Sequence, residues 1–306
     1  SLIINSYLTY LVSINSFTPV ELGALLINDS GILMAELTTL ISTAAIAFSI
    51  KYMSAERDDT LYFILLCLFT SSIVGLIYSF NLIILYLFME ASTVTSGVLI
   101  MFGRTRRANR AAIVYLAVCM LGGLLILISE FILYVAIGVE NITDPGAALL
   151  PMNIRLGLCI VMLIGFGVKA GIVPFGFLWL PRAHAEAPSP ISAILSGVLV
   201  QAAAFAMIRT VGTLAIDIPI ISWLFVAFGI ASMLSGAISA LLEVKGYRSK
   251  HLYFRRDIKR VLAYSTISEV GFIVMMAGFV GAAGVSAEAA LSAALIHICL
   301  LYTSPS

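Results

Sequence analysis

The chain has 306 residues and a formal net charge of +1, with 61% hydrophobic and only 11% charged residues and a mean hydropathy of +1.09. A soluble domain carries about 25% charged residues, so this chain cannot clothe a water-facing surface and lipid must be its solvent. With roughly 20 apolar residues needed per bilayer span, the composition excludes a sizeable soluble domain and predicts an all-α, polytopic transmembrane bundle.

Apolar runs bounded by turn or charge signals predict about nine spans, near 30–52, 60–79, 81–102, 110–137, 154–180, 189–211, 219–242, 261–282 and 288–302. The apolar run from Leu61 to Phe102 is too long for one span and is divided at Ser79-Phe80-Asn81. Alternate loops then segregate the basic residues. One side receives Lys51 and Arg57, the cluster Arg104, Arg106, Arg107 and Arg110, then Arg182, and the run from Lys245 to Arg260. The other side receives only Arg155 and Arg209. Cytoplasmic loops carry the excess of Lys and Arg, so the first side is expected to be cytoplasmic, with Ser1 outside. The loop EVKGYRSKHLYFRRDIKR (243–260) reads as positive-inside anchoring, with an anionic-lipid or partner-protein patch as the sharper alternative.

Cys67, Cys119, Cys159 and Cys299 lie far apart in apolar runs. That pattern argues against iron–sulfur, haem-attachment and zinc sites, and the thiols read as buried small hydrophobes. The start at Ser1, without Met or signal peptide, reads as a piece of a longer protein.

Ionisable groups at span centres cost at least ~2.5–3.5 kcal/mol and mark functional sites by default. Glu90, in LYLFMEASTV, falls at the middle of its span, and Lys169, in GFGVKAGIVPFGFLWLP, falls deep in the fifth. Pro174 and Pro181 cannot donate to the carbonyls of Ala170 and Phe177, so the helix around Lys169 is expected to kink or break. Irregular backbone at membrane depth is tolerated only inside protein or beside a wet cavity. A buried Lys–Glu pair titrates as a coupled unit, and changing its separation would switch the lysine between holding and releasing a proton. The bland alternative is a static ion pair tying two helices.

Weaker candidates surround this pair. Glu36 and Glu269 each lie about two turns into a span and either line a water-filled route or face the interface. Glu130, toward the outer end of its span, reads as interfacial. His297 is mid-helix, where a lone buried histidine is more often structural than a relay. Ser196 and Gln201 follow the break and either hold water or bond across helices. In PRAHAEAPSPIS (181–192), Pro188, Ser189 and Pro190 are expected to end one helix and begin the next, with His184 bracing the turn and a direct proton role secondary.

GFGVKAGIVPFGFLWLPRAHAEAPSPISAILSGVLV (165–200) resembles the central signature of the antiporter-like membrane subunits of respiratory complex I, Mrp-type sodium/proton antiporters and energy-converting hydrogenases. DIKRVLAYSTISEVG (257–271) is similar to their second signature, and Glu90 in YLFMEAS falls where the family places its glutamate. The resemblance implies a single transmembrane domain over 1–302, with a first five-helix repeat at 60–211, a partial inverted second repeat at 219–302 and an unrelated tail at 303–306. It implies that Glu90 and Lys169 are the pair that handles protons or sodium ions; His297, Gln201 and Glu269 stay further candidates along the route from the residues themselves. It places the chain in a prokaryotic-type inner membrane among lipid and other membrane subunits, without cofactor, metal or nucleic-acid partner. The oxidoreductase chemistry of an NADH:quinone oxidoreductase-like or hydrogenase complex would then reside elsewhere. Departures are Gly176 in place of a family histidine, Gln201 in place of a lysine, Glu269 in place of a glutamine, a longer loop before DIKR, and the ending HICLLYTSPS. Two other readings remain open on sequence: a self-contained transporter of a small solute, and a purely structural bundle.

Overall fold

The computed structural model describes residues 2–13, 18–53, 59–142, 144, 146, 149–215, 218–245 and 258–282. The expected span at 288–302, His297 and the tail lie outside the described residues, as does most of the basic loop 243–260.

Eleven α-helices are described: α1 Leu2–Ser13, α2 Asp29–Met53, α3 Asp59–Tyr78, α4 Leu82–Met101, α5 Arg106–Ile137, α6 Met152–Ala170, α7 Gly176–Glu186, α8 Ser189–Ile194, α9 Val200–Leu214, α10 Pro219–Val244 and α11 Ile258–Ala282. Among the described residues, eight helices are long and apolar enough to cross a membrane, counting α8, its continuation and α9 as one. The chain is therefore an integral, multi-pass helical bundle. Its surface is inverted relative to a soluble protein. On α5 the apolar residues Leu121, Leu124, Ile128, Phe131 and Val135 are exposed, while Tyr115, Cys119, Gly122, Ile126 and Glu130 are buried. Both sets recur at helical spacing, the first facing lipid and the second facing protein.

Two local features set the outline of the bundle. The break at 79–81 falls where the sequence divides the long apolar run. Asn81 caps α4 by accepting from the Ile84 amide at 3.2 Å. A small hairpin not anticipated from sequence, β1 Val20–Leu22 against β2 Leu25–Ile27, turns at Gly23 with φ +62, a conformation glycine adopts without steric cost. The Ala24 carbonyl accepts from the Phe80 and Asn81 amides, and the 138–142 segment bonds back to Phe80 and Leu82. Hairpin, link and loop thus form a backbone-bonded cap over the end opposite the basic loops. The helix α1, also passed over in the sequence, runs beside α2: Ser6 donates to Glu36 Oε1 at 2.7 Å, and Asn5 accepts from the Tyr78 hydroxyl at 3.0 Å. Glu36 therefore sits at a helix–helix contact, with its second oxygen buried and without a hydrogen-bond partner.

The helices α10 and α11 pack on one another through small residues. A Cβ at Gly229, Gly236 or Gly271 would strike the backbone of the facing helix, the close approach that small residues permit between membrane helices. This pair docks on the remainder chiefly through α11 against α7 and α9.

Candidate functional site

The site is built around the break after α6. Gly171 takes the left-handed conformation (φ +72) and its amide closes the last turn onto Gly167 and Val168. Pro174 follows, across a cis peptide bond from Val173, and α7 resumes at Gly176. One span of the sequence reading is thus two helices. The chain passes so close to itself here that a Cβ at Gly176 would collide with the Gly171 carbonyl. Pro181 does not break the helix as expected. It is the sixth residue of α7, where its missing N–H forfeits one bond to Phe177 and the helix continues.

The backbone groups freed at the break find partners on other elements. The Trp179 indole donates to the Val168 carbonyl at 3.0 Å, and the Val173 amide donates to Ser232 Oγ of α10 at 2.9 Å. At the far end of α7, Lys259 of α11 donates to the Ala187 carbonyl at 2.6 Å. His184 braces this turn through Ser192 (Nδ1 to Oγ 3.0 Å), and Pro188 precedes α8 as expected. The next helix is not uniform: Leu195–Leu199 forms a π-helical turn, from which Ser196 reaches Thr266 of α11 at 2.7 Å.

Lys169 occupies the last turn of α6, where the helix's own carbonyl dipoles favour a cation. Its Nζ donates to Glu90 Oε1 at 2.7 Å and to Thr93 Oγ1 at 2.7 Å. The lysine is 5% exposed and the glutamate 17%. The two residues singled out in the sequence are therefore one ion pair bridging α4 and α6, with the lysine buried and the glutamate half-buried. Glu90 Oε2 is buried without a hydrogen-bond partner. Gly123 of α5 faces the carboxylate so closely that a Cβ would occupy the position of Oε1, so this glycine makes room for the pair. Beyond Thr93, buried hydroxyls continue toward the basic end, with Ser96 Oγ 2.7 Å from the Tyr115 hydroxyl. A cavity of about 10 Å³ beside Lys169 is lined by Ser92, Thr93, Tyr115, Cys119, Leu199 and Ala203, among others, space for about one water.

The other sequence candidates are not drawn into this cluster. Gln201 is buried with its Oε1 unpartnered, but both hydrogen bonds of Lys169 go elsewhere. Glu269 is half-buried on α11 and accepts from Ser265 at 3.0 Å. Glu130 is not interfacial, contrary to the sequence reading: it is 1% exposed on the protein-facing side of α5, with neither oxygen hydrogen-bonded. Arg209 is not a loop cation. It is buried on α9, donates to the carbonyls of Ile77 (2.7 Å) and Ser79, and lies over the Phe205 ring at 5.4 Å. Thr93 and Gly123 escaped the sequence reading, and Arg209 was misplaced by it. Thr93 was the most accessible of them, being three residues after Glu90 and so on the same helix face.

The fold and site define a predominantly helical, multi-pass membrane protein holding an enclosed Lys–Glu pair at a broken helix. Residues 79–303 match the family model of the NADH:quinone oxidoreductase/Mrp antiporter transmembrane region, and the chain belongs to that family. Curated relatives named "Putative antiporter subunit mnhA2" are 32% identical over 252 residues in Staphylococcus saprophyticus (80% of this chain, 30% of the relative) and 30% identical over 257 residues in Staphylococcus haemolyticus (82% and 30%). This chain thus spans about a third of the length of the relatives it matches. Solved structures sharing the fold include the Mrp complex from Dietzia sp. DQ12-45-1b (TM-score 0.78, 22% identity, 97% of this chain and 55% of that one). Respiratory complex I from Thermus thermophilus with bound aureothin also shares it (TM-score 0.69, 20% identity, 98% and 63%).

Proposed function

We propose that the full-length protein is an antiporter-like subunit of a multi-subunit membrane complex and translocates protons, or sodium in exchange for them, by proton transfer through the Glu90–Lys169 pair. One observation carries this reading: a buried titratable cation, 2.7 Å from a half-buried carboxylate, stands at the last turn of a helix that breaks immediately afterwards. Structural ion pairs need no such break. Here a small movement of α7 about 171–175 changes what surrounds Lys169. Drawing the lysine away from Glu90 removes the carboxylate that favours its charged form, and the proton is released; return restores it. Thr93 and the one-water cavity offer the next positions for that proton. A space of about 10 Å³ suits protons and water, not an organic solute.

In this reading the basic ends of α2, α4, α7 and α10 face the cytoplasm of a prokaryotic cell membrane, and the hairpin cap faces outside. Helices across 60–211 form the first repeat, and α10 begins an inverted second one. The subunit itself holds no redox centre and works with other membrane subunits, lipid and protons or sodium ions. In vesicles carrying the full-length protein and its complex, Glu90→Gln and Lys169→Ala should each abolish ion-coupled proton flux while the complex still assembles. Wild-type flux in both variants would sink the proposal.

A further inference from the structure

Glu130 takes no part in the arrangement above, yet it is the most isolated acid among the described residues that the bundle encloses. It is 1% exposed and both carboxyl oxygens lack a hydrogen-bond partner. A charged, unpartnered carboxylate in such a setting is costly, and a membrane protein keeps an intramembrane acid chiefly for function. Its surroundings point the same way. The helix α5 runs antiparallel to α4, with Tyr115 against Ser96 and Gly123 against Glu90. Glu130 therefore lies two turns beyond Gly123, toward the hairpin cap. On α4, Tyr86 stands one turn from Glu90 on the same helix face, on the side of Glu90 toward the cap. The ionisable groups buried on the neighbouring α6 below Lys169 are Cys159 and Arg155, and no hydrogen bond reaches either Glu130 oxygen. The titratable groups of α7 begin at Arg182, at the opposite end of the bundle.

We infer that Glu130 is a second proton-binding site, placed between the Glu90–Lys169 pair and the capped end of the bundle, and that it exchanges protons with Glu90 past Tyr86. The inference rests on the proton-transfer reading of that pair. Because neither Glu130 oxygen is hydrogen-bonded in this state, the exchange runs through a transient bridge, a water or the Tyr86 hydroxyl after side-chain rotation. The Glu130 carboxyl gives its proton to the bridging oxygen as that oxygen gives one to the Glu90 carboxylate. Glu130 becomes the anion, Glu90 becomes neutral and the bridge is unchanged. A proton from the capped side then refills Glu130. Counting from Lys169, the route becomes two-armed: hydroxyls Thr93, Tyr115 and Ser96 toward the basic end, and carboxyls Glu90 and Glu130 toward the cap.

The test uses the full-length protein in its assembled complex, in vesicles and as pH-jump infrared difference spectra. Glu130→Gln keeps the shape but carries no exchangeable acid proton; ion-coupled proton flux should fall about a hundredfold, the low end for losing a positioned proton-transfer group. Glu130→Asp should restore part of the flux with a displaced pH profile. The infrared spectrum should contain a buried carboxylic-acid carbonyl band that vanishes in Glu130→Gln and moves in Glu130→Asp. Wild-type flux and pH profile in Glu130→Gln would overturn the inference, as would a spectrum in which no acid band depends on Glu130. Glu90→Gln run in parallel separates the two failures. If it loses flux and Glu130→Gln does not, only the second site falls; if both keep wild-type flux, the role of the pair falls.

Discussion

Two buried cations, Lys169 and Arg209, answer the same physical problem in different ways. Both sit on well-enclosed helices, at 5% and 9% exposure. Arg209 spends its guanidinium on the carbonyls of Ile77 and Ser79, the unsatisfied end of α3, and lies over Phe205. Its partners are backbone oxygens and an aromatic face, none of which changes charge, and arginine does not release its proton in proteins. Lys169 is held by a carboxylate and a hydroxyl beside a broken helix, all of which can move or titrate. The difference teaches that enclosed cations are set apart by what surrounds them: the partners of Arg209 cannot change charge, whereas the carboxylate holding Lys169 can.

Substitutions at the two sites should therefore separate transport from stability. The largest effect is expected for Lys169→Arg, which keeps the charge and the ion pair but cannot give up a proton. Flux by the assembled full-length complex should drop to background, whereas an arginine serving as a static staple would leave it unchanged. Arg209→Met should do the reverse. Removing the cation from the α3 carbonyls should cost about 1–3 kcal/mol, the range for leaving buried hydrogen-bonding groups unsatisfied, read as lower thermal stability and yield, with flux per assembled complex preserved. Next in size is Gly123→Ala, whose Cβ would take the place of Glu90 Oε1 and push the carboxylate off Lys169; flux should fall several-fold with little loss of folded protein, the helix itself favouring alanine by up to ~1 kcal/mol. The smallest is Ser232→Ala. It leaves the Val173 amide at the break without its acceptor, a loss of about 1–3 kcal/mol for a buried donor, seen as faster hydrogen exchange at 171–175.

The sequence exposed Lys169 and Glu90 because a charge inside an apolar run cannot hide, and it exposed the break because Pro174 removes a helix donor. It placed the division at 79–81 for a similar reason, a turn tripeptide between two apolar stretches. What it hid depends on which faces meet. Glu130 looked interfacial by its position along α5, but helix phase, not depth, decided its burial: it lies on the face of Tyr115, Cys119 and Ile126, opposite the exposed Leu124, Ile128 and Phe131. That phase was readable in the small and polar residues Cys119, Gly122, Gly123 and Ser129. The role of Gly123 was not, since it depends on a carboxylate from another helix. Pro181 misled because a proline's effect depends on its place in a helix whose start at Gly176 was unforeseen. The π turn, the hairpin and α1 carry no such marker, since each is fixed by contacts with distant segments such as Thr266, Phe80 and Tyr78.

The most direct test of the central claim is ion-coupled proton flux in vesicles containing the full-length protein, compared across wild type, Glu90→Gln, Lys169→Arg and Arg209→Met at matched amounts of assembled complex. The account predicts flux near background in the first two variants and wild-type flux per complex in the third. Wild-type flux in Lys169→Arg would contradict it, because an arginine at that position can hold Glu90 but cannot pass a proton on.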